Sequence, residues 1–434
     1  MDLKEKYRKT LSALDKVSPS FCMAKWNHVT LHLHSGENHS CHHPRRHDIQ
    51  NHGLNDHPEL LHNTGPKIKA REQMIQGQRP TECQFCWTVE DSGGNQISDR
   101  VVKSSAWSTD ADIAEILKNP TGSQFYPKYV EVGFSNVCNL KCVYCGPQFS
   151  SSWMSEIKQF GNNIGWVASE KDHLAYGKPF VEAFLKWWPE LKLKLKVLRL
   201  TGGEPLLSED VFKMLEDIRD GVTLDLELVI NSNLFVPEKR IEDMLYLLKQ
   251  IVDAKKIKKI KLVTSMESVG RQAEYIRSGI NVEIFWKNLE KILRANVCEV
   301  SITATINILV IGTFFEFYKV FSQLKDITRG VHKHQFFVDP NLLKEPEHLN
   351  ILNFPSSAKL ALIKEIDDVF ENAQRFQLTE FEILRLQSLK AIIVSKLDYE
   401  DTNAIRKLRP FLAELDIRRG VIFTSTFPNL SSLF

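Results

Sequence analysis

An excess of either charge is missing from this chain, whose 434 residues include 56 lysines and arginines against 54 acidic residues, for a net charge of +2. No global field therefore argues for a nucleic acid or a membrane surface as partner. An export signal is also missing: the opening MDLKEKYRKTLSALDK has no apolar centre and reads as a short amphipathic helix. Clean apolar runs are absent. The most apolar stretch, ITATINILVIGTFFEFYKVF from Ile302, is interrupted by Asn307, Glu316 and Lys319 and split at Gly312. It reads as a buried strand followed by a helix, so no membrane span is expected. Repeats and low-complexity tracts are lacking too, while a hydrophobic content of 43% is ample for a large core and the length suits two or three domains. These absences point to a cytoplasmic protein, in which clustered cysteines are more readily metal ligands than disulfides.

Histidine is scarce over most of the chain. Ten of the fourteen lie between His28 and His62, leaving four for everything beyond. In WNHVTLHLHSGENHSC, Val29, Leu31 and Leu33 alternate before a turn at Ser35-Gly36, which predicts a hairpin flanked by Cys22 and Cys41. On that pattern His28, His32 and His34 occupy the opposite, solvated face. The lysine-rich KKIKKIK from Lys255 reads as a helix end entering a strand rather than as a phosphate or RNA contact.

From Tyr129 onward the pattern is regular. Short β-rich runs occur at 129–134, 195–200, 224–230, 260–265, 299–307 and 334–339, separated by segments long enough for helices. One such segment, SEDVFKMLEDIRD, places Val211, Met214, Leu215 and Ile218 on one helical face. Strands alternating with helices imply right-handed crossovers and a parallel sheet. The unusual residues sit where those strands end: SNVCNLKCVYC after the first, TGGEP after the second, NSN after the third and SMES after the fourth. In a barrel of parallel strands the carboxyl ends form the active face. After about Pro355 three further stretches carry helical spacing.

Within VCNLKCVYCGP the cysteines number three and not four, with three residues between Cys138 and Cys142 and two between Cys142 and Cys145. A structural zinc site and a closed iron–sulfur cube each take four ligands. Three thiolates on a [4Fe–4S] cube would leave one iron open to a small molecule. A zinc knuckle would have to borrow a histidine, and the nearest in sequence is His173. The isolated Cys298 reads as a buried structural thiol.

Cys138-x3-Cys142-x2-Cys145, with Tyr144 before the last cysteine and GGEP after the next strand, resembles the radical S-adenosylmethionine (SAM) superfamily over about residues 129–340. The resemblance implies that the open iron is chelated by the amino and carboxylate groups of SAM. An electron from the cluster then cleaves the sulfonium to a 5′-deoxyadenosyl radical. Gly202, Gly203 and Glu204 match the segment that receives the SAM amino group, a role suited to glycines that admit close backbone approach and to a carboxylate facing an ammonium. Asn231, Ser232, Ser265 and Glu267 match places that touch ribose or carboxylate. Arg277 is expected at the SAM carboxylate and Tyr144 near the adenine.

Cys22, Cys41, Cys83 and Cys86 form a second, four-ligand set. It resembles the auxiliary-cluster modules called twitch and SPASM, in which cysteines bracket a hairpin with a glycine turn, although here the set precedes the barrel. The resemblance implies a second [4Fe–4S] cluster with an electron-transfer role; zinc on the same ligands is the alternative. The combined expectation is an α/β enzyme with a partial parallel (β/α)6 barrel at 126–345. A small α+β metal-binding domain occupies 1–125 and a helical extension 346–434. Its substrate is expected to be a peptide or protein, with a small molecule or carbohydrate as alternative and a non-catalytic iron–sulfur protein as the weaker one. An external donor such as a flavodoxin or ferredoxin would supply the electron. No catalytic side chain is assigned.

Overall fold

The computed structural model of the chain describes residues 3–92, 97–122, 124–166 and 173–433. Among them, eleven strands form in chain order: β1 His28–His32, β2 Glu37–His39, β3 His47–Asp48, β4 Tyr129–Gly133, β5 Lys141–Cys142, β6 Val197–Thr201, β7 Glu227–Asn231, β8 Lys259–Ser265, β9 Arg277–Ser278, β10 Glu299–Ile306 and β11 Phe336–Leu342. The six β-rich runs of the sequence become β4, β6, β7, β8, β10 and β11, with ends displaced by at most three residues. β4 with β6, β8 with β10, and β10 with β11 pair in parallel, giving an α/β fold built mostly on parallel strands.

The chain divides into two compact units, Met1–Ser135 with Lys171–Gly202 and Val222–Leu228, and Asn136–Glu170 with Gly203–Gly221 and Val229–Phe434. This division does not follow positions 125 and 345, because β4 and β6 cluster with the amino-terminal segment and the carboxyl-terminal helices cluster with the second unit.

In the first unit the strands run β3–β2–β1–β4–β6. The predicted hairpin forms: β1 and β2 pair antiparallel, with Thr30 opposite His39, and Gly36 in their turn takes φ +65°. Its other edge pairs in parallel with β4, from His28 opposite Tyr129 to His32 opposite Gly133. This corrects the expectation for the histidines. His32 and His34 are 8% and 1% exposed, and His28 is half-buried. With neighbours on both edges, β1 is an interior strand. The helix His173–Leu191 also approaches its end so closely that a Cβ on Gly177 would lie 2.8 Å from His34 Cα. Burial penalises the imidazolium form, holding His32 down at about 2 and His39 at about 3. Phe21, Met23, Trp26, Met74 and Trp87 form a core into which Cys22, Cys83 and Cys86 are built.

In the second unit the strands run β7–β8–β10–β11. The helix Glu209–Asp220 buries Val211, Met214, Leu215 and Ile218 as the spacing predicts. The apolar stretch from Ile302 resolves into the end of β10 and a helix, Phe314–Thr328, that buries Phe314, Phe317 and Phe321. Among the described residues no helix is long and apolar enough to cross a membrane. Ser356–Glu371, Glu380–Ser395 and Thr402–Arg419 are the three carboxyl-terminal helices. Cys298 is 1% exposed, and burial pushes its thiol up to about 12.

Candidate functional site

The cysteine loop of the second unit is held mainly through its carbonyls. The run Ser150-Ser151-Ser152-Trp153 opens the helix Ser151–Phe160. Ser150 Oγ donates to the Leu140 carbonyl at 2.6 Å, Ser152 Oγ to that of Cys138 at 2.7 Å, and Trp153 Nε1 to that of Cys142 at 2.9 Å. Ser150 Oγ also caps the helix by accepting from the Trp153 N–H at 3.2 Å. From another side β5 pairs antiparallel with β9, setting Cys142 opposite Arg277.

The glycines of TGGEP bring the following turn onto this loop. A Cβ on Gly203 would lie 2.3 Å from the Val137 carbonyl oxygen and 2.6 Å from the Asn136 carbonyl carbon. The Glu204 N–H donates to that Val137 oxygen at 2.8 Å. Gly202, at φ +121°, could carry no Cβ either, since the atom would meet the Ser135 carbonyl oxygen at 2.7 Å. The Glu204 carboxylate is 2% exposed. It accepts from the Leu206 N–H at 3.0 Å, Ser232 Oγ at 2.8 Å and the Asn233 N–H at 2.6 Å. Burial outweighs those three donors and raises its pKa to about 7.

Tyr144, Glu267 and Arg277 form a second group. Glu267 and Arg277 are 0% and 4% exposed. Arg277 donates to Glu267 Oε2 from Nη2 at 2.6 Å and Nε at 3.2 Å, while the Tyr144 hydroxyl donates to Oε1 at 3.1 Å. The guanidinium lies 5.6 Å from the Tyr144 ring centroid. Burial alone would lower the Arg277 pKa, but Glu267, then Tyr144 and Cys142, hold it above its usual range. Asn231 closes β7 and Ser265 closes β8, both half-buried.

Burial raises all three loop thiols, Cys138 to about 12. Cys142 adds to the rise at Cys138, and both add to it at Cys145, as neighbours sharing one site would. Arg277 opposes the rise at Cys142. Among the described residues no group of three or more His, Cys, Asp or Glu is gathered as one metal ion would require. In an iron–sulfur cube each cysteine holds a different iron, so convergence on one point is not needed. One buried and two half-buried thiols beside a buried cation, on a loop fixed through its carbonyls, fit such a cluster. The side chain of His173 lies outside the described residues.

Asn233 is the residue the motif reading missed. Its backbone serves Glu204, its Nδ2 donates to Asn139 Oδ1 at 2.9 Å, and the same nitrogen lies 3.9 Å from Cys138 Sγ. NSN named it in sequence, but only the fold shows that its third member faces the cysteines. The serine run was equally visible and signals an N-cap, though not the carbonyls it holds.

In the first unit Cys22, Cys83 and Cys86 are buried and Cys41 is half-buried. Burial is the main cause raising Cys22, Cys83 and Cys86, the last two to about 12, and Cys41 adds to each. Lys25, 1% exposed and ion-paired with Glu82, opposes the rise at Cys22 and Cys83, and Arg100 opposes it at Cys22. As these four are not gathered round one point either, they suit a cluster in which each thiolate holds a different iron better than a single ion.

The model of the Radical SAM superfamily matches residues 132–316. This domain belongs to the radical SAM superfamily. The match takes in the cysteine loop, TGGEP, NSN, SMES and Arg277. Curated proteins similar to this chain include the GTP 3′,8-cyclase of Sulfurimonas denitrificans, 29% identical over 108 residues that make up 25% of this chain and 28% of that protein. A probable GTP 3′,8-cyclase of Methanocaldococcus jannaschii is 26% identical over 157 residues, 36% of this chain and 46% of that protein. The chain thus spans less than half the length of these relatives. Among solved structures, Streptococcus suis SuiB aligns with 76% of this chain and 64% of its own at 13% identity and a TM-score of 0.37. SuiB bound to precursor peptide SuiA aligns with 76% of this chain and 65% of its own, also at 13% identity, with a TM-score of 0.35.

Proposed function

We propose that the chain is a radical SAM enzyme. Cys138, Cys142 and Cys145 would hold three irons of a [4Fe–4S] cluster, leaving the fourth open to SAM. When bound, cluster and SAM supply a 5′-deoxyadenosyl radical that removes hydrogen from a substrate carbon. The observation that carries this reading is the three-thiol loop with the buried Glu204 packed beside it, an acceptor set where the amino group of SAM would dock.

The protein's own residues bind, orient and exclude water. Gly202 and Gly203 let the turn approach the loop, and Glu204 accepts a hydrogen bond from the SAM amino group, which favours the ionised carboxylate. Ser232 and Asn233 fix that carboxylate. Glu267 and Arg277 orient Tyr144 toward the adenine, with Asn231 and Ser265 at the strand ends toward the ribose. Reduced protein incubated with SAM is expected to release 5′-deoxyadenosine; intact SAM under competent reduction would refute the enzyme reading.

Cys22, Cys41, Cys83 and Cys86, in the segment 1–125, would hold a second [4Fe–4S] cluster, which would supply electron transfer. Zinc is the competing occupant. Residues 126–345 form the core barrel and 346–434 its extension. An external flavodoxin or ferredoxin reduces the first cluster. A peptide or protein is the proposed substrate, on the strength of the second cysteine set. A small molecule is the second reading, favoured by the curated relatives named for GTP.

A further inference from the structure

We propose that Asn233 sets the reduction potential of the first cluster by donating a hydrogen bond from its side-chain amide to Cys138 Sγ. The inference rests on the triad carrying a [4Fe–4S] cluster, and it names a residue outside the cysteines that governs how readily that cluster takes up an electron. Asn233 is a positioning residue, because it acts through Cys138.

The amide is held in one orientation. Its Oδ1 accepts from the Phe235 N–H at 2.8 Å, closing an Asx turn. Its Nδ2 donates to Asn139 Oδ1 at 2.9 Å, and Asn139 Nδ2 donates in turn to the Phe235 carbonyl. Exchanging the amide oxygen and nitrogen would set two donors against each other at Phe235 and two acceptors at Asn139. One N–H of Nδ2 is thus committed to Asn139, which leaves the other for Cys138 Sγ at 3.9 Å. The Leu140 N–H approaches the same sulfur at 3.5 Å, so a main-chain and a side-chain donor share it.

The turn that presents the amide is strained. Leu234, fully buried, takes φ +56°, a left-handed conformation that is costly for a bulky side chain. Its N–H donates to Ser232 Oγ at 3.0 Å, and its carbonyl accepts from Nδ2 of the buried Asn288 at 2.8 Å. Strain of this kind persists only where the surroundings enforce it, and it gathers at functional sites. Here it adjoins the residue whose N–H donates to Glu204 at 2.6 Å and whose amide reaches Cys138.

An N–H beside a ligand sulfur stabilises negative charge on it. Reduction adds an electron to the cluster, so the donor favours the reduced form and raises the potential. NSN thereby divides its work: Ser232 Oγ and the Asn233 N–H hold Glu204, while the Asn233 side chain serves the cysteine.

The test is a redox titration of the reconstituted full chain followed by electron paramagnetic resonance, without SAM so that altered SAM binding cannot move the readout. The signal lost in Cys142→Ala identifies the triad cluster. Asn233→Ser keeps the turn, since a serine hydroxyl can accept from the Phe235 N–H, but it is too short to reach the sulfur. Its midpoint is expected to fall by about 59 mV, a tenfold change in a one-electron equilibrium, with iron content as in the parent. In the parent labelled with ¹⁵N in its asparagine side chains, pulsed measurements should show a nitrogen coupled to the same signal. That parent measurement decides the matter if the variant fails to load iron. An iron-replete Asn233→Ser with the parent's midpoint, or a parent signal with no ¹⁵N coupling, would overturn the inference and leave the enzyme reading standing. A parent with no Cys142-dependent signal would overturn both.

Discussion

Glu204 accepts three hydrogen bonds from the protein and still titrates at about 7, because its burial costs the anion more than those donors return. An acid with a raised pKa is protonated below that value, and a protonated Glu204 is a poorer acceptor for the N–H of the SAM amino group. SAM affinity should therefore fall as the pH drops below about 7, and equilibrium dialysis with labelled SAM should show Glu204→Gln losing the part of that fall that Glu204 contributes. Glu267 answers to a different term. Glu267→Ala strands the Arg277 guanidinium in the interior, and denaturant unfolding should show a loss of about 3–5 kcal/mol. The cysteines proposed as ligands stand out in sequence because thiol spacing is chemistry in itself. The pairing of Arg277 does not, since a sequence shows a cation and a carboxylate ten residues apart without showing that a helix and a short strand fold them together.

The elements bring these residues together through backbone contact more than through side-chain bonds. Gly203→Ala would drive a Cβ against the backbone of Asn136 and Val137, neither of which can rotate away. The cysteine loop should then be displaced, so iron retained after reconstitution should fall markedly while far-UV circular dichroism stays as in the parent; full iron retention would show that the close approach is dispensable. Ser150→Ala removes both a helix cap and the support of the Leu140 carbonyl, an expected cost of about 1–2 kcal/mol in stability. The six strands and three terminal helices could be read from periodicity, which reports one buried face. Periodicity does not say which strand lies at each edge. Hence β1 reads as half of a hairpin, and its parallel union with β4, which buries His32 and His34, could not be foreseen.

At the scale of the whole molecule, the two cysteine sets fall in different compact units, the quartet in the first and the triad in the second. The proposed division of labour can therefore be tested by removing one set. Replacing Cys83 and Cys86 together should lower the iron content by about half, preserve 5′-deoxyadenosine release and stop product formation. If the quartet holds zinc, metal analysis would show zinc lost and iron unchanged. The central claim is narrower, that the triad leaves one iron open and SAM occupies it. Pulsed electron–nuclear double resonance on the reduced, reconstituted protein with SAM labelled at its amino nitrogen and carboxylate tests it most directly. Hyperfine coupling of both labels to the cluster is the predicted result, and a cluster signal with no coupling to either would contradict it.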